Sequence, residues 1–253
     1  MEAVAGDEAP PLRVGTAGWA IPRDLAAELA GEDSHLQRYA RVFDAAEINS
    51  SSHRPHRPST YARWAASVPP GFRFSVKLPK TITHQHKLVG YGGLLETFAE
   101  EVAGLGASRG PTLVQLPPSL AFDAAVAGPF FAEVIRLLGD AVVCEPRHAS
   151  WFEEAADRML VEHRIARVAA DPALSSAAAV PGGWPGLVYY RLHGSPVIYR
   201  SSYDDAALAR QREAVAACHA RGVECWTIFD NTASGAAMAN ALHLRSALQT
   251  ATG

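Results

Sequence analysis

Titratable and amide side chains recur in this chain two residues apart: Glu47 with Asn49, Ser75 with Lys77, Glu145 with Arg147, Arg191 with His193. Gln115 stands two after Leu113, and Asp171 two after Ala169. Residues at that spacing share one face of an extended strand, and the intervening Ile48, Val76, Val114, Cys144, Ala170 and Leu192 would take the other. Glu47, Lys77, Glu145, Asp171, Arg191 and His193 are the catalytic candidates. A carboxyl group becomes a useful acid or base when burial raises its pKa or a neighbouring cation lowers it. Glu47 and Glu145 suit that work, Lys77 and Arg191 would stabilise developing negative charge, and His148 and His193 would shuttle or orient protons.

The same residues admit other chemistry. Glu145, Asp171, His193 and Asp230 form a carboxylate and imidazole set suited to a divalent ion in a phosphodiester or sugar enzyme, although Arg147 and Arg191 would crowd a cation. Lys77 would serve as a Schiff-base amine if Arg191 depressed its pKa, but adjacent carboxylates predict a raised value. A purely structural ion-pair network is the plain alternative. Against it, each buried ion costs several kcal/mol unless paired, so Val, Ile and Leu would fill an inert interior more cheaply. No G-x-S-x-G occurs, and Ser50 to Ser52 are expected to bond a loop backbone.

Arg147, His148, Arg191 and His193, with Lys77, would give the site a positive potential that suits a carboxylate or phosphate ligand. Trp19, Asn49, Gln115, Trp151, Tyr199 and Asn231 complete the expected binding set, with Trp184 as a further aromatic wall. The stretch His53-Arg54-Pro55-His56-Arg57 is a basic loop that reads as a phosphate contact or a solvated face. Cys144 reads as a packing residue.

Eight short β-rich segments must position these groups: 13–16, 45–49, 73–78, 112–116, 141–145, 166–171, 187–193 and 224–230. Between them, apolar residues recur at three and four, predicting helices over 59–67, 94–105, 124–138, 152–163, 204–221 and 236–247, with Ser59, Asp123 and Asp204 as caps. The helix after the sixth strand is missing or very short. Eight strand and helix units predict an α/β fold, a single-domain (β/α)8 TIM-type barrel over 13–250, with residues 1–12 a loose tail and 172–186 a surface loop. The polar residues then fall at the C-terminal strand ends, where such barrels hold their chemistry. Gly15-Thr16-Ala17-Gly18-Trp19 lacks the glycine spacing of a pyrophosphate cradle, which disfavours a nucleotide fold.

The chain has 253 residues, 48% hydrophobic and 19% charged, enough to bury a core without staples. Its 23 Lys+Arg against 26 Asp+Glu give a net charge of -3, which argues against a strongly basic nucleic-acid domain. Cys144, Cys218 and Cys225 show no CxxC spacing and suit a reducing cytoplasm. The acidic, Pro-containing start has no apolar core, and no long apolar run follows, so neither a signal peptide nor a membrane span is expected.

Seven ordered motifs carry a resemblance. Gly15-Thr16-Ala17-Gly18-Trp19, Glu47-Ile48-Asn49-Ser50, the 72–77 segment ending in Ser75-Val76-Lys77, and Gln115-Leu116-Pro117-Pro118 are followed by Glu145-Pro146-Arg147-His148-Ala149-Ser150-Trp151, Tyr190-Arg191-Leu192-His193-Gly194, and Asp230-Asn231-Thr232 through Asn240-Ala241-Leu242. Together they resemble the DUF72 (YecE-like) family from about residue 13 to 248. The resemblance implies a TIM-type barrel and leaves the reaction open. Ser52-His53-Arg54 stands where the family usually has Phe-Tyr-Arg, which replaces an aromatic lid residue with an imidazole. The loop after Trp19 lacks the further aromatic residues often seen and Asp230 stands where Asn is common, which implies a more open first loop. The expected function is a small-molecule enzyme acting on an anionic substrate by acid-base chemistry, a hydrolase or a lyase or isomerase, with no cofactor. A non-catalytic binding module for an anionic metabolite is the other reading.

Overall fold

The computed structural model describes residues 11–250. Strands and helices alternate in the order β1 (Leu12–Thr16), α1 (His35–Tyr39), β2 (Ala45–Ile48), α2 (Pro58–Ala66), β3 (Arg73–Lys77), α3 (Gly92–Val102), β4 (Arg109–Gln115), α4 (Ala124–Leu138), β5 (Val142–Glu145), α5 (Glu154–Glu162), β6 (Ala166–Arg167), β7 (Ala169–Asp171), β8 (Gly182–Gly183), β9 (Leu187–Leu192), α6 (Asp205–Ala220), β10 (Glu224–Phe229) and α7 (Ala236–Gln249). The expected tail, residues 1–12, lies largely outside the described residues, and Leu12 already belongs to β1.

The caps follow the sequence at two helices of three. The Asp123 side chain accepts from Ala125 N at 2.9 Å, and Asp204 from Ala207 N at 2.8 Å. Ser59 does not cap α2, which begins one residue earlier on Pro58; a proline is preorganised for that first position and has no N–H to leave unpaired.

The strands form two sheets, in the orders β1-β10-β9-β7 and β2-β3-β4-β5-β6-β8. Every pairing is parallel except that of β8, which runs antiparallel to β6. A single closed sheet, as the (β/α)8 expectation required, is therefore not what the hydrogen bonds describe. At one seam β1 and β2 meet through an isolated bridge between Ala17 and Glu47. There the phenol of Tyr39 accepts from Thr16 N and donates to the Ala45 carbonyl, both at 2.9 Å, doing the work of a missing ladder. Gly15 lets the two strands approach, because a β-carbon there would collide with the Ala45 carbonyl. At the other seam the sixth segment changes partner at Val168, holding β5 through Val168 N to Cys144 O (2.8 Å) before β7 pairs with β9.

Two apolar layers result. Ala45, Leu113, Val143, Ala166, Val168, Tyr189, Trp226 and Ile228 pack together inside. Val14, Ile48, Val76, Val114, Cys144, Leu192 and Phe229 pack outward among the helices, so Cys144 is the packing residue its position implied. No α-helix lies between β7 and β9 among the described residues; the Pro- and Gly-rich 172–186 segment cannot sustain one. No described helix is long and apolar enough to cross a membrane.

Candidate functional site

Register carries the polar residues inward. Glu47 pairs with Ser75, Gln115 with Glu145, and Ile228 with Arg191, so one line of side chains from β2, β3, β4, β5, β9 and β10 enters the interior near the strand C-termini. The Arg191 guanidinium is its centre and is fully buried. Nε and Nη2 donate to the two oxygens of Glu47 at 2.9 and 2.6 Å, Nη1 to Glu145 at 2.7 Å, and Nη2 also to Asp230 at 3.0 Å. Tyr189 donates to Glu47 at 3.0 Å and is itself 2.6 Å from the Ser75 hydroxyl. Gln115 Nε2 donates to Glu145 at 2.9 Å, and Arg147 bonds the other oxygen of Glu145.

His193 lies between two carboxylates, with Nδ1 3.1 Å from Asp230 and Nε2 2.8 Å from Glu145. Burial alone would lower its pKa, but Glu145 and Asp230 hold it above the ordinary imidazole value. In the protonated ring both nitrogens donate. The 2.7 Å approach of Arg147 Nη2 to Nε2 is then two donors converging on one Glu145 oxygen. Burial would raise Glu145, yet Arg191, His193 and Arg147 keep it well below the usual carboxylate range. Asp230 is lowered against the same burial cost, chiefly by Arg191.

Lys77 differs from all of these. It is 8% exposed, shares the register of inward Leu113, and its ammonium has no hydrogen bond or ion pair among the described residues. Burial and then Arg191 push its pKa down, and Glu47, Glu145 and Asp230 oppose them without prevailing. The sequence-based expectation of a raised value is thereby corrected, because the carboxylates are already committed to Arg191. Burial and the ammonium groups of Lys77 and Lys80 also lower the pKa of His53 and His84. A depression of about 290 Å³ lies nearby, lined by His53, Arg54, Pro79, Lys80, Leu94 and Phe98, among others, but not by Lys77 or His84. His84 sits on Thr81–Gln85, a wide turn closed by His86 N to Thr81 O at 2.8 Å, a geometry frequent at functional sites.

Several expected residues are placed elsewhere. Asp171 points outward: Ala166, Val168 and Ala170 form the inward line, Ala170 being in register with Arg191. Its carboxylate accepts from Tyr203 Oη at 2.7 Å in a groove of about 620 Å³ between the strands and α6, on the side where the helix is missing. Polarity had been allowed to decide its face, whereas the apolar neighbours decide it. The metal set fails for the same reason and for a second one, since Arg191 occupies the place of a cation among Glu145 and Asp230. No cluster of His, Cys, Asp or Glu among the described residues could hold a metal ion.

Trp19 packs edge-on against Trp64 (5.1 Å) and Phe74 (5.8 Å) rather than lining the mouth. Trp151 is buried, donates to the Leu120 carbonyl at 3.0 Å and meets Phe122 and Phe131. Trp184 packs against the inner apolar layer and under Arg164. His148 caps the short turn Ala149–Phe152, its Nδ1 accepting from Ser150 N at 3.3 Å and lying 2.9 Å from the Ser150 hydroxyl. Asn231 braces the 195–203 loop by donating to Ser201 O and Asn240 Oδ1, both at 2.9 Å. Ser51 bonds the Ile48 and Lys77 carbonyls, as a loop-bonding serine should. In the basic loop His56 is packed on Tyr61 and Trp64, while His53 and Arg54 stay exposed.

Tyr199 does reach the site, 47% exposed and edge-on to His193 at 5.8 Å. Asn49 ends β2 with its side-chain carbonyl buried and unpartnered. Tyr189 was legible by the same count of two that found Arg191 and His193. Lys80 and His84 carry no sequence signal, because a loop places them.

Parallel strands with helices between them, and charged side chains gathered at the strand C-termini, define an α/β protein with one polar interior site. The chain belongs to the DUF72 family: the family model, described as a protein of unknown function, matches residues 13–253. Over 106 residues the chain is 29% identical to the UPF0759 protein YecE of Escherichia coli (strain K12), which is 42% of this chain and only 38% of that relative's length. A DUF72 family protein from Enterococcus faecalis V583 superposes with TM-score 0.78 at 21% identity, covering 94% of this chain and 96% of that one. One from Thermotoga maritima MSB8 gives 0.76 at 24%, covering 94% and 99%. These structures share the fold.

Proposed function

We propose that the chain is an enzyme for a small anionic substrate, a carboxylate or phosphate, which it handles by acid-base chemistry at the C-terminal mouth, the two sheets acting as one eight-stranded (β/α)8 barrel. The observation that carries this reading is Lys77, whose side chain is largely buried while its ammonium, open at the tip, has no hydrogen bond or ion pair among the described residues. Drawing a charge partly out of water is costly unless it is paired, and no carboxylate among the described residues forms an ion pair with this one. An anionic ligand is the natural complement, and Lys80 adds to the attraction.

Roles narrow accordingly. Glu47 accepts three hydrogen bonds from Arg191 and Tyr189, and Glu145 accepts from four donors; both are framework groups that hold Arg191 and His193 in place. Lys77 and the imidazoles of His53 and His84, low in pKa and thus able to accept protons near neutrality, are the groups left to move protons. The three cysteines are free thiols, in keeping with a cytoplasmic setting.

The test is ligand-linked stability. Phosphate, sulfate and a panel of small carboxylates should raise the Tm of the wild type at millimolar concentration, since a ligand bound only to the folded state stabilises it. Lys77→Met should lose most of that shift at matched ionic strength. Excluded-ion effects stabilise both proteins alike, so equal shifts in the two would remove the anion-binding assignment.

A further inference from the structure

The chain holds three lysines, Lys77, Lys80 and Lys87, against twenty arginines. All three lie within one eleven-residue stretch. Where the fold buries a cation elsewhere it uses arginine and neutralises it. Arg191 has its three carboxylates, and Arg167 has Asp157 at 3.5 Å, the Ala177 carbonyl at 2.7 Å and the ring of Phe152. Lys77 is the exception in both respects: it is a lysine whose side chain is only 8% exposed, and its ammonium has no hydrogen bond or ion pair among the described residues and is not fully buried, so its tip is open at the mouth. The chemical difference is decisive. A guanidinium stays protonated in any protein environment, whereas an amine in an apolar or cationic setting gives up its proton and becomes a nucleophile. Burial and Arg191 both favour the neutral amine here.

We infer that Lys77 is a Schiff-base lysine whose amine attacks the carbonyl carbon of an anionic oxo compound of the 2-oxo acid class. This rests on the anion-accepting mouth proposed above. The Nζ lone pair forms the C–N bond while the carbonyl π pair moves to oxygen. Loss of that oxygen as water, with two protons that began on the ammonium, leaves a protonated imine with one proton on nitrogen, so atoms and charge balance without a redox partner. A 2-oxo acid fits because its carboxylate lies one bond from the reacting carbon. Lys80 can hold the carboxylate while Lys77 meets the carbonyl, and the imidazoles of His53 and His84, whose titration responds to Lys77, can take up and return the protons as neutral bases.

The experiment is reductive trapping. The full-length protein is incubated with pyruvate and borohydride near neutral pH, digested and mapped by mass, which three lysines make unambiguous. Lys77 should carry the reduced adduct roughly tenfold or more above Lys80 and Lys87, the selectivity expected of an activated amine. Acetone, which has the carbonyl without the charge, should label it far less, and Lys77→Arg should show no adduct at its position. An adduct spread evenly over the three lysines, or none on Lys77, overturns the assignment. Phosphate shifts measured on the same preparations separate the two ideas: a shift retained without trapping leaves the anion site standing and removes the Schiff base. Trapping of Lys77 by pyruvate and acetone alike, with no phosphate shift, removes the anion site and the 2-oxo acid class together and leaves the nucleophilic amine.

Discussion

The two sides of this interior handle charge in opposite ways. Around Arg191 every charge is answered: Glu47, Glu145 and Asp230 surround one guanidinium, and His193 joins two of the carboxylates. At the ends of β2 and β3 the largely buried Lys77 has no hydrogen bond or ion pair among the described residues, near Lys80, His53 and His84. Both sets occupy the same end of the same fold. A network that cancels its own charge resists change and has nothing to offer a ligand, whereas a cation left without a partner at the mouth is free to take one, as the proposed anion site requires. The contrast separates framework from site more sharply than residue type could.

The largest expected effect lies in the answered half. Arg191→Met leaves Glu47 buried without a cation and takes from Glu145 and Asp230 the guanidinium they share with it, and should cost about 3 to 5 kcal/mol or more, read as a fall in denaturant midpoint at unchanged slope. Lys77→Met should instead leave stability unchanged or raise it, because it keeps the buried stem and removes a charge that no described residue pairs. If both variants lose stability equally, the distinction between the halves is wrong.

Next in size is the pH dependence of the answered half. The folded pKa of Glu145 lies well below the ordinary value, so its contribution is full above that value and is lost as pH falls through the folded one. His193 is raised, so its contribution is full below the ordinary imidazole value and is lost as pH rises through the folded one. Glu145→Gln should flatten the acid limb of a stability profile, and His193→Gln the limb above neutrality. A profile in which neither variant changes its limb would mean that these ionisations contribute little to stability.

The unanswered half should show a smaller, ligand-dependent effect. His53 and His84 are low in pKa and gain protons only in mild acid, where their charge adds attraction. Phosphate-induced shifts should therefore grow as pH falls below the ordinary imidazole value, and His84→Ala should reduce that growth. A pH-independent shift would exclude these imidazoles from the anion's surroundings.

The smallest effect is expected outside the mouth altogether. Tyr203→Phe loses the bond to Asp171 and the one from Gly194 N, and should cost about 1 kcal/mol with no change in the phosphate shift. A lost shift would return Asp171 and its groove to the site.

By itself the sequence determined much of this. A period of two and the capping aspartates locate the strands and most helices within three residues, because these signals are local. The same count places Glu47, Lys77, Gln115, Glu145, Arg191 and His193 on one inward line, since strand parity survives wherever a strand is regular. Asp171 was misplaced because its strand divides at Val168, where the segment exchanges β5 for β9. Trp19, His148, Trp151 and Asn231 were misjudged because an aromatic ring or a polar tip is equally suited to a wall, a cap or a brace, and only its neighbours decide. The tertiary structure alone decided which charges cancel. Pairing depends on distances between strands far apart in the chain, and those distances gave the carboxylates to Arg191 and left Lys77 without one.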